Sequence, residues 1–150
     1  MTDVEVTGGA VPRFSRREMA NFTRTVLLTL GNMGLLPYEI NEVSIALVED
    51  EAMANLNRQF RHKNKTTDVL TFPADDTYAD PDRPGRPLGD IVISLDQAKR
   101  QSVTEKHSLA TEIRYLILHG ILHALGHDHE TDTGEMNALE IDLRTRVGLT

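Results

Sequence analysis

Residues 108–126 constrain the fold more than any other part of the chain. Ile113, Leu116, Ile117, Leu118, Ile121, Leu122 and Leu125 recur at helical spacing yet fall around most of the helix circumference, which leaves no broad polar face for water. A helix of this kind must be buried, with Ser108 suited to cap its start. Set into it are His119 and His123, four residues apart, which project from one face about a turn apart, near enough for both imidazoles to bind one ion. Gly126 then ends the helix. Without a Cβ it takes the left-handed conformation that lets the chain double back and bring His129 towards the same ion. Three neutral imidazoles are the ligand set of a catalytic zinc, in which a fourth position stays open to water.

The spacing His-x3-His-x2-Gly-x2-His is shared with a group of zinc proteases, apart from one substitution. Gly120 stands where those enzymes carry the glutamate that acts as general base, so the ligands are present and the proteolytic base is not. Histidine makes up only 6 of 150 residues, which makes this spacing a poor candidate for coincidence.

At 150 residues, one domain with a substantial core is expected. Hydrophobic residues at 39% and charged residues at 26% are those of an ordinary globular protein, and no apolar run approaches a membrane span. The first residues lack the basic region and apolar run of a signal peptide, so a cytoplasmic location and no membrane partner are expected. With no cysteine, disulfides, thiolate sites and iron–sulfur chemistry are excluded, leaving histidine and carboxylate as the strong ligands. A net charge of −7 argues against indiscriminate nucleic-acid binding. Any RNA contact must be local. The candidate is the segment 58–65, where Arg58, Arg61, Lys63 and Lys65 occur with no acid between them; a solvated turn explains it equally well.

Along the chain, Val4-Glu5-Val6 reads as a short edge strand, soon interrupted by Gly8, Gly9 and Pro12. Ser15-Arg16-Arg17-Glu18 fits a capping box ahead of a helix from about Arg16 to Asn32, with Met19, Phe22, Val26, Leu27 and Leu30 on its apolar side. Residues 42–48 alternate Val43, Ile45 and Leu47 with Ser44 and Ala46, as in a strand with one well-buried side. Asp50 reads as the N-cap of a short helix carrying Met53, Leu56, Asn57 and Phe60, which delivers the basic segment at its C-terminal end. A strand over 67–72, an acidic, proline-rich exposed loop over 74–88 and an inner strand over 89–94 follow. A helix with Ala98 and Val103 then precedes the histidine-bearing one. Asp132-x-x-Glu135 resembles a second capping box, leading into a helix with Met136, Leu139, Leu143 and Val147. The expected fold is α/β (α+β), a small mixed sheet packed against a central buried helix that carries the metal ligands.

Several separated stretches resemble one family. Leu56-Asn57 with Phe60-Arg61, then Thr67-Asp68-Val69-Leu70-Thr71-Phe72-Pro73, Gly89-Asp90-Ile91 and the 119–129 motif are similar to YbeY, the bacterial metal-dependent endoribonuclease family of ribosomal RNA maturation. The similarity runs from about Val43 onward. It implies one compact α/β hydrolase domain over residues 1–150, with a single zinc ion on His119, His123 and His129. It also implies single-strand-specific RNA cleavage and a role in ribosomal RNA processing, at the 16S rRNA 3′ end, and in ribosome quality control. The partners implied are single-stranded RNA and the small ribosomal subunit with its proteins. Arg61 occupies the family's functionally important arginine position, which makes it the catalytic candidate, and Arg58, Lys63 and Lys65 become RNA-binding candidates. Thr66, Thr71 and His127 depart from the residues usual at their positions, but none removes a ligand. His127 is expected to point outward.

Zinc can acidify its water and polarise a phosphoryl oxygen, and a guanidinium can bind phosphate bidentately and stabilise charge growing there. The group that moves the proton is not defined by the sequence. Asp128 can orient an imidazole or cap the turn, Asp68 and Asp90 can be structural, and the RNA 2′-hydroxyl can itself be the nucleophile. Two rival readings stand beside the nuclease. One is a metalloprotease, against which Gly120 weighs; the other is a non-catalytic ribosome assembly factor that uses zinc to hold its fold.

Overall fold

The computed structural model describes residues 2–61, 68–74, 80–127 and 133–149, with Arg61 described in its backbone alone. Along the chain run β1 (Asp3–Gly8), α1 (Arg16–Asn32), β2 (Ile40–Val48), α2 (Asp50–Arg61), β3 (Val69–Pro73), β4 (Arg86–Ser94), α3 (Leu95–Thr104), α4 (Leu109–Ala124) and α5 (Glu135–Arg146). The strands form a mixed sheet in the order β1-β2-β4-β3, with β1 and β4 parallel to β2 and β3 antiparallel to β4. This is the expected α/β architecture, with β1 at an edge and the β-branched β4 inside.

The alternation in β2 sorts its side chains onto the two faces of the sheet. Val43, Ile45 and Leu47 join Ile91 and Ile93 of β4 in a large core with α1, α3, α4 and α5. On the opposite face Met53 of α2 packs on Leu70 and Val92, with Ala46, Leu56 and Phe72 around them. Helix α4 is buried as its composition demands, with Ile113, Ile117, Leu118, Ile121 and Leu122 all at 0% exposure. At roughly 1.5–3 kcal/mol for each fully buried large aliphatic side chain, this one helix anchors much of the larger core.

Local signals held where their partners lie within one turn. Ser15 Oγ accepts from Glu18 N (3.1 Å) and Glu18 Oε1 accepts from Ser15 N (3.2 Å), the complete capping box. Ser108 Oγ accepts from Thr111 N (3.1 Å) at the start of α4.

Three expectations require correction. Asp50 is the first residue of α2 rather than its cap: its carboxylate accepts from Ser94 Oγ (3.0 Å) and pairs with Arg100 (2.9 Å), while its backbone N–H donates to Asp96 (2.8 Å). The cap of α2 is therefore supplied by α3. The expected loop is shorter at its C-terminal end, because β4 begins at Arg86. Pro87 is tolerated in this inner strand because it lies past the end of β3, which pairs only as far as Gly89, and opposite an irregularity in β2. Glu135 opens α5 instead of sitting three residues in, and its carboxylate accepts from Thr133 N and Oγ1 (2.7 and 2.6 Å); the cap position is Gly134, at φ 105°. Asp132, the other half of that expected box, lies outside the described residues. Val103 lies in α3, as expected, at 78% exposure.

Candidate metal centre

Helix α4 carries His119 and His123 on one face, and their Nε2 atoms lie 2.9 Å apart, with ring centroids 4.5 Å apart. Both side chains are half-buried. Behind His119, its Nδ1 lies 2.6 Å from Oε1 of Glu140, a buried residue of α5. An ionised carboxylate only accepts hydrogen bonds, so this contact calls for a proton on Nδ1, which in the neutral ring leaves the lone pair on Nε2, on the side of His123. The arrangement matches the common bracing of a metal-binding imidazole by a carboxylate.

Glu140 did not emerge from the sequence reading. It falls one turn from each of Met136 and Leu143, both at 0% exposure, so an acid on the apolar line of α5 was the available signal.

Gly126 closes α4 as its sequence position suggested. It sits at φ 99°, its N–H donates to His123 O (2.9 Å), and the next N–H, of His127, donates to Leu122 O (3.1 Å). These two bonds satisfy carbonyls at the helix end and stop the helix there. His129 and Asp128, beyond that turn, lie outside the described residues. Among the described residues, no group of three or more histidine or carboxylate side chains is arranged to hold an ion, and His127 is not drawn into one.

Gly120 is buried against the sheet. A Cβ built there would come within 2.7 Å of Ile91 Cγ2 and 3.4 Å of Val69 Cγ2. The position that holds the proteolytic glutamate in zinc proteases is thus a point of close approach between α4 and β4.

Among the other candidates, Arg58 lies exposed in the last turn of α2 with its guanidinium donating to Asn55 Oδ1. Arg61 ends that helix, and Phe60 just before it packs edge-on against Phe72, with centroids 5.1 Å apart. Lys63 and Lys65 lie outside the described residues. Asp68 lines a cleft of about 350 Å³ with His107, Glu112, Tyr115, His119 and Glu140, and so shares it with one of the two facing histidines. Asp90 pairs with Ser44 in the sheet register and faces away from α4, since its neighbour Ile91 faces that helix.

A mixed-sheet α/β fold carrying two facing imidazoles on a buried helix, one of them braced by a carboxylate, defines a protein with a histidine-based candidate metal site. The family model described as Endoribonuclease YbeY matches residues 10–148, and the chain belongs to this family. A curated relative from Nautilia profundicola, named Endoribonuclease YbeY, is 48% identical over 108 residues, which cover 72% of this chain and 73% of the relative. One of the same name from Myxococcus xanthus is 42% identical over 148 residues, 97% of this chain but 48% of the relative, so the chain spans about half of that protein. The solution structure of TM1509 from Thermotoga maritima shares the fold, with a TM-score of 0.60 at 22% identity over 96% of this chain and 88% of that one.

Proposed function

We propose that this protein is a zinc-dependent endoribonuclease specific for single-stranded RNA, acting in ribosomal RNA processing at the 16S rRNA 3′ end and in ribosome quality control. The reading rests above all on the two Nε2 atoms facing each other at 2.9 Å, with a buried carboxylate on the far nitrogen of His119. Such a donor set fits zinc, and the relatives' name, Endoribonuclease YbeY, gives the reaction class.

Residues 1–150 form one hydrolase domain in this reading. His119, His123 and His129 hold a single ion, with a fourth position open to water. When bound, zinc acts as a Lewis acid and lowers the pKa of water towards about 7. Arg61 is the catalytic cation: its guanidinium takes the scissile phosphate through paired N–H donors and stabilises negative charge as it grows. Arg58, Lys63 and Lys65 hold the flanking RNA backbone by charge, which confines RNA contact to one region of a chain whose net charge is −7. The acidic remainder suits the basic proteins of the small ribosomal subunit as partners. The proposed setting is the cytoplasm; among the described residues no helix is long and apolar enough to cross a membrane.

The test measures zinc content and cleavage of a single-stranded RNA for wild type, His123→Ala and Arg61→Ala. His123→Ala is expected to lose both zinc and cleavage, whereas Arg61→Ala keeps zinc and loses roughly 100- to 1,000-fold in rate, the usual effect of removing one transition-state donor. Full cleavage by a folded, zinc-loaded Arg61→Ala protein would show that Arg61 is not catalytic. A zinc-loaded wild type that cleaves no RNA would leave the assembly-factor reading.

A further inference from the structure

We propose that Glu140 is a positioning residue for the zinc site, holding His119 in the tautomer and orientation that turn Nε2 towards His123. This rests on the zinc reading above. The helix that carries the ligands would then depend on a second helix, α5, for its affinity.

Glu140 is 5% exposed, and a carboxylate so buried requires partners to offset the loss of water. Nδ1 of His119 lies 2.6 Å from Oε1, as short as the charge-assisted bonds a carboxylate accepts or slightly shorter. The guanidinium of Arg144 lies further off, 3.9 Å from Oε2, and is itself drawn over the ring of Tyr115 at 4.3 Å. Met136 and Leu143, one turn to either side of Glu140, are fully buried, so the α5 backbone is pinned where the carboxylate leaves it. His119 therefore meets a fixed acceptor. Its ring is held with Nδ1 as donor, which leaves Nε2 as the nitrogen available to an ion.

A neutral histidine in water exchanges between two tautomers and rotates about χ2, and only one combination presents Nε2 to a shared point with His123. Fixing that combination in advance removes ordering from the binding step, and the negative carboxylate raises the basicity of the ring as a ligand. Loss of such a partner typically weakens metal binding by roughly 10- to 100-fold.

Two measurements test this. Zinc affinity is determined by competition with a chromophoric chelator for wild type, Glu140→Gln and Glu140→Ala, with circular dichroism to check folding. The tautomer of His119 is read from long-range ¹⁵N–¹H correlations in zinc-free protein at a pH where the ring is neutral. Glu140→Ala is expected to weaken zinc by roughly 10- to 100-fold and to release the Nδ1–H tautomer. Glu140→Gln, which keeps an acceptor at the same place, is expected to recover part of the affinity and most of the tautomer preference. An alanine variant that binds zinc as tightly as wild type overturns the proposal, and so does a wild-type His119 protonated on Nε2. If the alanine variant does not fold, the wild-type tautomer still decides. A wild type that binds no zinc refutes the zinc reading instead, and leaves the tautomer result to stand on its own.

Discussion

Gly120→Ala tests whether α4 sits against the sheet too closely to admit a Cβ at this position. The added methyl would lie 2.7 Å from Ile91 Cγ2, and carbon atoms in good contact lie about 3.5–4.0 Å apart, so α4 and β4 must part by roughly 1 Å. Ile91 cannot easily yield. It is 0% exposed, its branched side chain is stiff at χ1, and its strand is paired on both sides. Overpacking of this kind costs about 1–3 kcal/mol, against which alanine gains about 1 kcal/mol of helix propensity over glycine. The expected net loss is about 1 kcal/mol, or a fall in Tm of about 2–4 °C for a domain of this size. The assay is urea denaturation followed by circular dichroism, extended to Ile91→Ala and the double variant. Ile91→Ala alone removes the opposing methyl and leaves a cavity, at a cost of about 2–5 kcal/mol. In the double variant the new methyl occupies part of that space, so a favourable coupling of about 1–2 kcal/mol is expected. A Gly120→Ala protein about 1 kcal/mol more stable than wild type, with no coupling to Ile91, would show that propensity alone operates and that the close approach is absent.

Three further outcomes follow from the same geometry. Gly120→Glu, which restores the glutamate of the zinc proteases, is expected to disrupt folding by several kcal/mol and to yield no peptidase activity, because the carboxylate would be driven into the contact with Ile91 and Val69; a folded variant that digests casein would refute this. Gly126→Ala places a Cβ at φ 99° with nothing within 4 Å, so its cost of about 1 kcal/mol comes from the backbone conformation alone, and an unchanged denaturation midpoint would contradict it. Ser108→Ala removes the acceptor for Thr111 N and is expected to cost about 1 kcal/mol by the same assay, with zinc content unaffected, since the cap lies at the opposite end of α4 from the histidines.

What the sequence determined by itself was whatever is decided within about one helical turn or one strand alternation. The box of Ser15 and Glu18, the cap at Ser108, the facing of His119 and His123 and the stop at Gly126 all involve residues three or four apart, whose relative placement follows once the helix forms. The two faces of β2 were legible for the same reason, and so was the burial of α4, because a helix apolar around most of its circumference has nowhere else to go. The substrate class was approached through resemblance and not through any of these periodicities. Tertiary structure decided the features whose partners are far along the chain. Asp50 resembled a cap until α3 brought Asp96 to its N–H and Ser94 and Arg100 to its carboxylate. Gly120 read only as a missing glutamate, and the sheet supplied the positive reason for it, a strand too close to admit a Cβ. Glu140 was one acid among 23 acidic residues until α5 folded it beneath His119. In each case the deciding contact joins elements that only the packed core brings together, and periodicity along one segment carries no information about what lies across it.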